Sequence, residues 1–183
     1  MKPERFRCSN GLNVIFVPQA GVASMTLLVL CQVGSRYETP SINGASHFIE
    51  HLMFKGTKRR PNTQVISAEL DRYGALYNAY TDKDVTGYYI KMDVAHTDLA
   101  MDILWDMLCF SVFDPEDIER ERGVIVEEFN MYEDNPRAHV DDLLEEALFP
   151  HSSLGWNIAG PREVIRKISR EELVKYRDQY YVP

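Results

Sequence analysis

His47, Glu50 and His51 fall within five residues of one another in the run Gly44-Ala45-Ser46-His47-Phe48-Ile49-Glu50-His51-Leu52-Met53. On a helix, positions four apart lie on one face, so the two imidazoles can converge on a single cation. Imidazole suits zinc, and a catalytic zinc keeps three protein ligands and leaves a fourth position to water. Glu50 projects near the same face, where a carboxylate could take a proton from that water. A helix can also carry two histidines with no metal between them, so the pair calls for a third ligand.

The order His-x-x-Glu-His inverts the more familiar His-Glu-x-x-His and is itself a metalloprotease pattern. Candidates for the third ligand lie in the helix expected after Asp114. Glu121 and Glu128 stand two turns apart there and share a face. Val124, Ile125 and Phe129 mark an apolar stripe that draws Glu128 towards the core, where carboxylates seldom sit unpaired. The alternative is an acidic solvated face made of Glu119, Glu121, Glu127 and Glu128.

The elements that must position these groups follow from local pattern. Glu4 to Arg7 and Leu12 to Val17 flank Asn10-Gly11, a hairpin signal. Met25 to Val33 is an apolar run of strand formers and reads as a buried central strand. The metal motif sits on a helix from Asn43 to Phe54, with Gly56 as its stop. Asn62 caps a second helix that Gly74 ends. Leu76 to Thr81 and Val85 to Met92 form a second hairpin. From Val94 the pattern is helical, with Trp105 expected to pack beside Leu104 and Leu108. Asp114-Pro115-Glu116 starts the helix carrying Glu121 and Glu128. Asn135-Pro136 starts another, and Pro161 to Ile168 and Arg170 to Tyr180 complete the set. Tyr180 to Pro183 resemble the start of a strand. Strands mainly early and helices mainly late make one α+β domain spanning 1–183.

Bulk properties narrow the function classes. A chain of 183 residues supports one sizeable core and is marginal for two. A formal charge of −8 disfavours nucleic acid and anionic membranes as partners. The basic cluster Lys55 to Arg60 reads as a solvated loop. No run approaches the ~20 apolar residues of a membrane helix, and Met1 to Gly11 lack the apolar core of a secretory signal, so the chain reads as cytoplasmic. Cys8, Cys31 and Cys109 form no CxxC pair and are expected to be reduced and mostly buried.

Beyond the metal motif, "GSRYE", "HLMFKGTKRRP", "GALYNAYTDKDVTGYY", "IERERGVIVEEF" and "LFPHSSLGWNIAG" occur in this order. The chain resembles, over essentially its whole length, the pitrilysin, insulysin and mitochondrial processing peptidase family of inverzincin zinc peptidases, and within it the bacterial processing-peptidase branch. The resemblance implies an antiparallel sheet covered by helices, the N-terminal domain of a clamshell. It implies one Zn2+ per chain held by His47, His51 and Glu128, with Glu50 as general base and Glu121 as a catalytic support that hydrogen-bonds to the ligands. It implies that Tyr77 to Thr81 is an edge strand that pairs with an extended peptide substrate, with Asn78 and Ala79 holding the peptide backbone. Ser153 stands where the family often has proline, a departure in a loop.

The resemblance also implies a second homologous domain, subunit or homodimer partner that grips the substrate, and the chain has the length of one such domain without its last strand. The implied activity is that of a zinc metalloendopeptidase, with the isolated chain expected to be inactive. A non-catalytic peptide-binding or assembly subunit is the alternative within the same family. A purely structural zinc is disfavoured, because no cysteine or histidine at suitable spacing closes the fourth position.

Overall fold

The computed structural model describes residues 2–183. Two short strands, β1 (Glu4–Arg7) and β2 (Asn13–Phe16), form an antiparallel ribbon whose residues are all exposed. The Asn10-Gly11 turn closes it, with Gly11 in the left-handed region at φ 97° and the Leu12 N–H donating to Asn10 Oδ1. A second, three-stranded antiparallel sheet holds β3 (Ser24–Cys31), β4 (Leu76–Thr81) and β5 (Thr86–Asp93) in the order β3-β5-β4.

Alternation along the strands sends Tyr88, Ile90 and Met92 of β5 to one face, where they are buried. Helices α1 (Ala45–Met53), α2 (Thr63–Asp71) and α3 (Thr97–Phe110) cover that face. Phe48, Ile49, Leu52 and Met53 of α1 are fully buried in this core, with Ile66 and Leu70 of α2 and Ile103 and Met107 of α3. The opposite face is open, and Leu28, Leu30, Leu76 and Tyr80 are exposed on it. Helix α4 (Pro115–Glu133) packs on α1, and α5 (Pro136–Leu148), the short α6 (Arg162–Ile165) and α7 (Arg170–Tyr180) complete the fold.

The expected caps are present. Asn62 accepts from the Val65 N–H at 3.0 Å and Asp114 from the Glu116 N–H at 2.9 Å. Gly44 starts α1 at φ 96°, and a Cβ there would overlap the Ala159 carbonyl oxygen and Ile165 Cδ1, so both the turn and the packing require glycine. The expected α+β class and antiparallel sheet are what the fold has.

Five local expectations are corrected. The apolar run at Met25 to Val33 supplies an edge strand rather than a central one, because β5 takes the middle; within β3 Met25, Leu27, Val29 and Cys31 pack against the core, and Val33 beyond its end is buried in it. Trp105 is 58% exposed and lies edge-on to Phe110, on the side of α3 turned away from the sheet. Cys8 and Cys109 are exposed and Cys31 is half-buried, its thiol pushed up to about 12 by burial and by Cys109 nearby. Residues 181–183 form no strand.

The fifth correction concerns Lys55 to Arg60, which is not a solvated loop throughout. Arg60 is buried and donates to Asp106 at 2.8 Å, Asp102 at 2.7 Å and Glu69 at 3.0 Å. Thr57 Oγ1 donates to the same Asp106 oxygen at 2.7 Å. This network ties the turn after α1 to α2 and α3.

Arg60→Met leaves Asp106 buried without its cation and is expected to cost about 3–5 kcal/mol, read from urea unfolding. Asp102, beside Arg59 and then Arg60, is held down to about 2 against an ordinary 3.8. Its contribution to stability is therefore present above about pH 4 and is lost as pH falls towards 2. Asp102→Asn is expected to flatten the acid limb of the unfolding profile in that window.

Candidate metal centre

The helix α1 brings His47, Glu50 and His51 to one face, and the face lies against α4. His51 Nε2 is 3.3 Å from His47 Nε2. Glu128 Oε2, from α4, is 3.6 Å from His47 Nε2 and 3.4 Å from His51 Nε2. Among the described residues these three are brought together as a group able to hold a metal ion.

The second ring nitrogen of His51 defines its tautomer. His51 Nδ1 lies 3.0 Å from Glu121 Oε2, and an ionised carboxylate only accepts, so Nδ1 carries the proton. The neutral ring then directs a bare lone pair from Nε2 at His47 and Glu128. His47 Nδ1 is buried without a protein partner. Tetrahedral bonds of ~2.0–2.1 Å place neighbouring ligand atoms about 3.3 Å apart, close to the spacing of these three atoms. The donor set of two imidazoles and one carboxylate therefore fits a zinc ion in chemistry and spacing.

Local electrostatics sharpen the arrangement. Burial, and then the neighbouring His51, push His47 down to about 4. Burial also pushes His51 down, but the Glu121 hydrogen bond and the Glu128, Glu121 and Glu50 charges outweigh it and leave its pKa raised. Burial raises the Glu50 carboxyl, and the hydrogen bond donated by Thr81 and the charge of His51 only partly oppose it. Burial raises Glu121 too, yet the His51 and Lys55 hydrogen bonds prevail and hold it below its ordinary value. Glu128 is the open side of the group, with 34% of its side chain exposed against 18% for His47 and 16% for His51.

Glu121 is buried and its second oxygen accepts from Lys55 Nζ at 2.7 Å. Lys55, Glu121 and His51 thus form a line of polar contacts that ends on the ring facing His47 and Glu128. Asn78 lies exposed on β4, and its Oδ1 accepts the Ala79 N–H at 2.9 Å, so that N–H is already engaged. Ala79 itself is buried on the α1 side of the sheet. His96, His139 and His151 do not join the group.

Two contributors escaped the sequence reading. Lys55 stands four residues after His51, one turn further on the same face, and that spacing was its signal. Thr81 reaches Glu50 from another element, and nothing local marks it.

A family model described as Insulinase (Peptidase family M16) matches residues 14–162. The chain is 39% identical over 180 residues to the Bacillus subtilis (strain 168) protein called uncharacterized zinc protease YmxG, covering 98% of this chain and 44% of that one. It is 39% identical over 172 residues to the mitochondrial-processing peptidase subunit beta of Rattus norvegicus, covering 94% of this chain and 35% of the relative. A crystal structure of a protease from Helicobacter pylori superposes with a TM-score of 0.89 at 28% identity, covering all of this chain and 44% of that one. The chain belongs to the insulinase family of peptidases, and its fold is that of a domain from this family. It spans less than half the length of these relatives.

Lys55→Met strands a buried carboxylate one hydrogen bond away from His51. The loss expected in urea unfolding is about 1.5–3 kcal/mol.

Proposed function

We propose that this chain is the zinc-binding domain of a metalloendopeptidase that cleaves extended peptides, with His47, His51 and Glu128 as the ligands of one Zn2+. The observation that carries this reading is the convergence of His47 Nε2, His51 Nε2 and Glu128 Oε2 at 3.3–3.6 Å. The family membership and the names of the relatives support it. Zinc bound there would supply Lewis acidity, bringing the pKa of water to ~7 and polarising a peptide carbonyl.

Glu50 accepts the proton of the attacking water and passes it to the leaving amine. A carboxylate on this task works best with a pKa raised towards the working pH, the direction in which burial moves Glu50. Thr81 holds one Glu50 oxygen by hydrogen bond and so orients the other. Glu121 keeps the proton of His51 on Nδ1 and its Nε2 free. The edge of β4 receives the peptide as an added strand, and Asn78 exchanges its bond to Ala79 for one to the peptide backbone.

The three-ligand set, with no cysteine in it, leaves one position for water and argues against a structural metal. The complete set likewise argues against a non-catalytic subunit. Because the chain spans under half the length of its relatives, the remaining substrate contacts belong to a further domain, a subunit or a second copy. The domain alone is expected to bind zinc and to leave peptides uncut.

In the full-length protein, Glu50→Gln is expected to keep about one zinc per chain and lower kcat on a fluorogenic peptide by at least ~10²-fold. His47→Ala is expected to lose both metal and activity. Peptide cleavage by Glu50→Gln at the wild-type rate would falsify the assignment of the base, and a metal-free wild type would remove the reading altogether.

A further inference from the structure

The first turn of α1 has no side-chain cap of its own, since its N-cap is Gly44. Helix N-termini leave backbone N–H groups unpaired, and a buried end without partners is costly. The partner here comes from outside the helix. Glu38 is buried, and its Oε2 accepts the Gly44 N–H at 2.7 Å while its Oε1 accepts the Ser46 N–H at 2.7 Å. Its Oε2 also accepts from Asn43 Nδ2 at 2.9 Å. No lysine, arginine or histidine pairs with Glu38 among the ion pairs of the described residues. The charge facing this carboxylate is the positive end of α1 itself.

A two-oxygen grip on two backbone amides fixes both the height and the rotation of a helix. The surroundings reinforce it. Asn43 Nδ2 also donates to the Asn157 carbonyl at 3.2 Å. A Cβ on Gly160 would overlap the Asn43 carbonyl, so the 157–160 turn lies directly on the start of the helix. Ser46 Oγ is 3.0 Å from the Tyr176 hydroxyl of α7. His47 follows Ser46 immediately, and Glu50 and His51 lie one turn further on. Their counterparts are on other elements: Glu128 on α4 and Thr81 on β4. Any slide or turn of α1 therefore changes the distances on which the site depends.

We infer that Glu38 is a positioning residue for the metal centre, a two-oxygen clamp that sets α1 in register with α4 and β4. This rests on the zinc reading above. It goes beyond holding the fold, because the clamp acts on the helix that supplies two ligands and the base. Glu38→Gln keeps the size of the side chain but replaces one acceptor oxygen with an NH2 that faces a backbone N–H.

The test is the zinc affinity of the full-length protein, read by competition with a chromophoric chelator at a temperature where every variant is folded. Glu38→Gln is expected to bind zinc about 10-fold more weakly, with an altered Co2+ absorption spectrum. Ile66→Ala, a cavity in α2 remote from the clamp, is expected to lower the unfolding midpoint and leave zinc affinity unchanged. Should Glu38→Gln fail to fold, Glu38→Asp, one methylene short of spanning both amides, is expected to show a smaller loss in the same direction. Wild-type zinc affinity and spectrum in the folded Glu38 variant overturn the inference while leaving the zinc reading intact. A wild type that binds no zinc overturns both.

Discussion

Two imidazole nitrogens and a carboxylate oxygen cannot share one small volume as bare acceptors. Lone pairs at 3.3–3.6 Å repel, and burial of the rings raises the cost by removing the water that would separate them. A proton or a metal cation between them turns the repulsion into attraction. Everything else about the candidate site concerns holding these acceptors together. The protein does so by embedding α1 in the core, where Phe48, Ile49, Leu52 and Met53 allow the helix no freedom to roll the histidines apart.

The same helix is tethered at both ends by charge. At its start, Glu38 faces the helix N-terminus. Just beyond its end, Lys55 pairs with Glu121, and Thr57 and Arg60 converge on Asp106. Buried ion pairs of this kind contribute little net stability compared with apolar packing, but they demand one geometry. The candidate site lies on the helix whose geometry these pairs fix. Glu121 links the two roles, since one of its oxygens completes the Lys55 pair while the other holds His51.

Much of this was legible in the sequence because it is local. The hairpin at Asn10-Gly11, the caps Asn62 and Asp114, and the His47–His51 spacing are each decided within a few residues. What could not be read is what depends on partners far along the chain. Arg60 is surrounded by basic neighbours, so it looks solvated until α3 brings Asp102 and Asp106 beside it. The run at Met25 to Val33 is apolar on both of its faces, so its pattern cannot say which face is covered or that β5 takes the centre. Trp105 follows the apolar spacing of α3, yet its ring is exposed and meets Phe110 edge-on, because spacing along one helix does not say which of its sides the rest of the fold covers. The pairing of Glu128 with the histidines is a tertiary fact. The resemblance implied that these three residues act together, while the helix sequence alone favoured an acidic solvated face.

The hydrogen bond between Thr81 and Glu50 connects the two halves of the proposed chemistry. Thr81 is the last residue of β4, an outer strand of its sheet, and Glu50 is the proposed base. A peptide that extends the sheet along β4 would therefore run past the carboxylate that must activate water. Register along a strand is quantised in steps of two residues, so the bond brought to the cation is set by which backbone groups pair with β4. Asn78 Oδ1 accepts the Ala79 N–H, and on the proposed reading an incoming peptide carbonyl would replace that bond. On the zinc reading, where cleavage falls is then a matter of β-sheet register first and of side-chain pockets second.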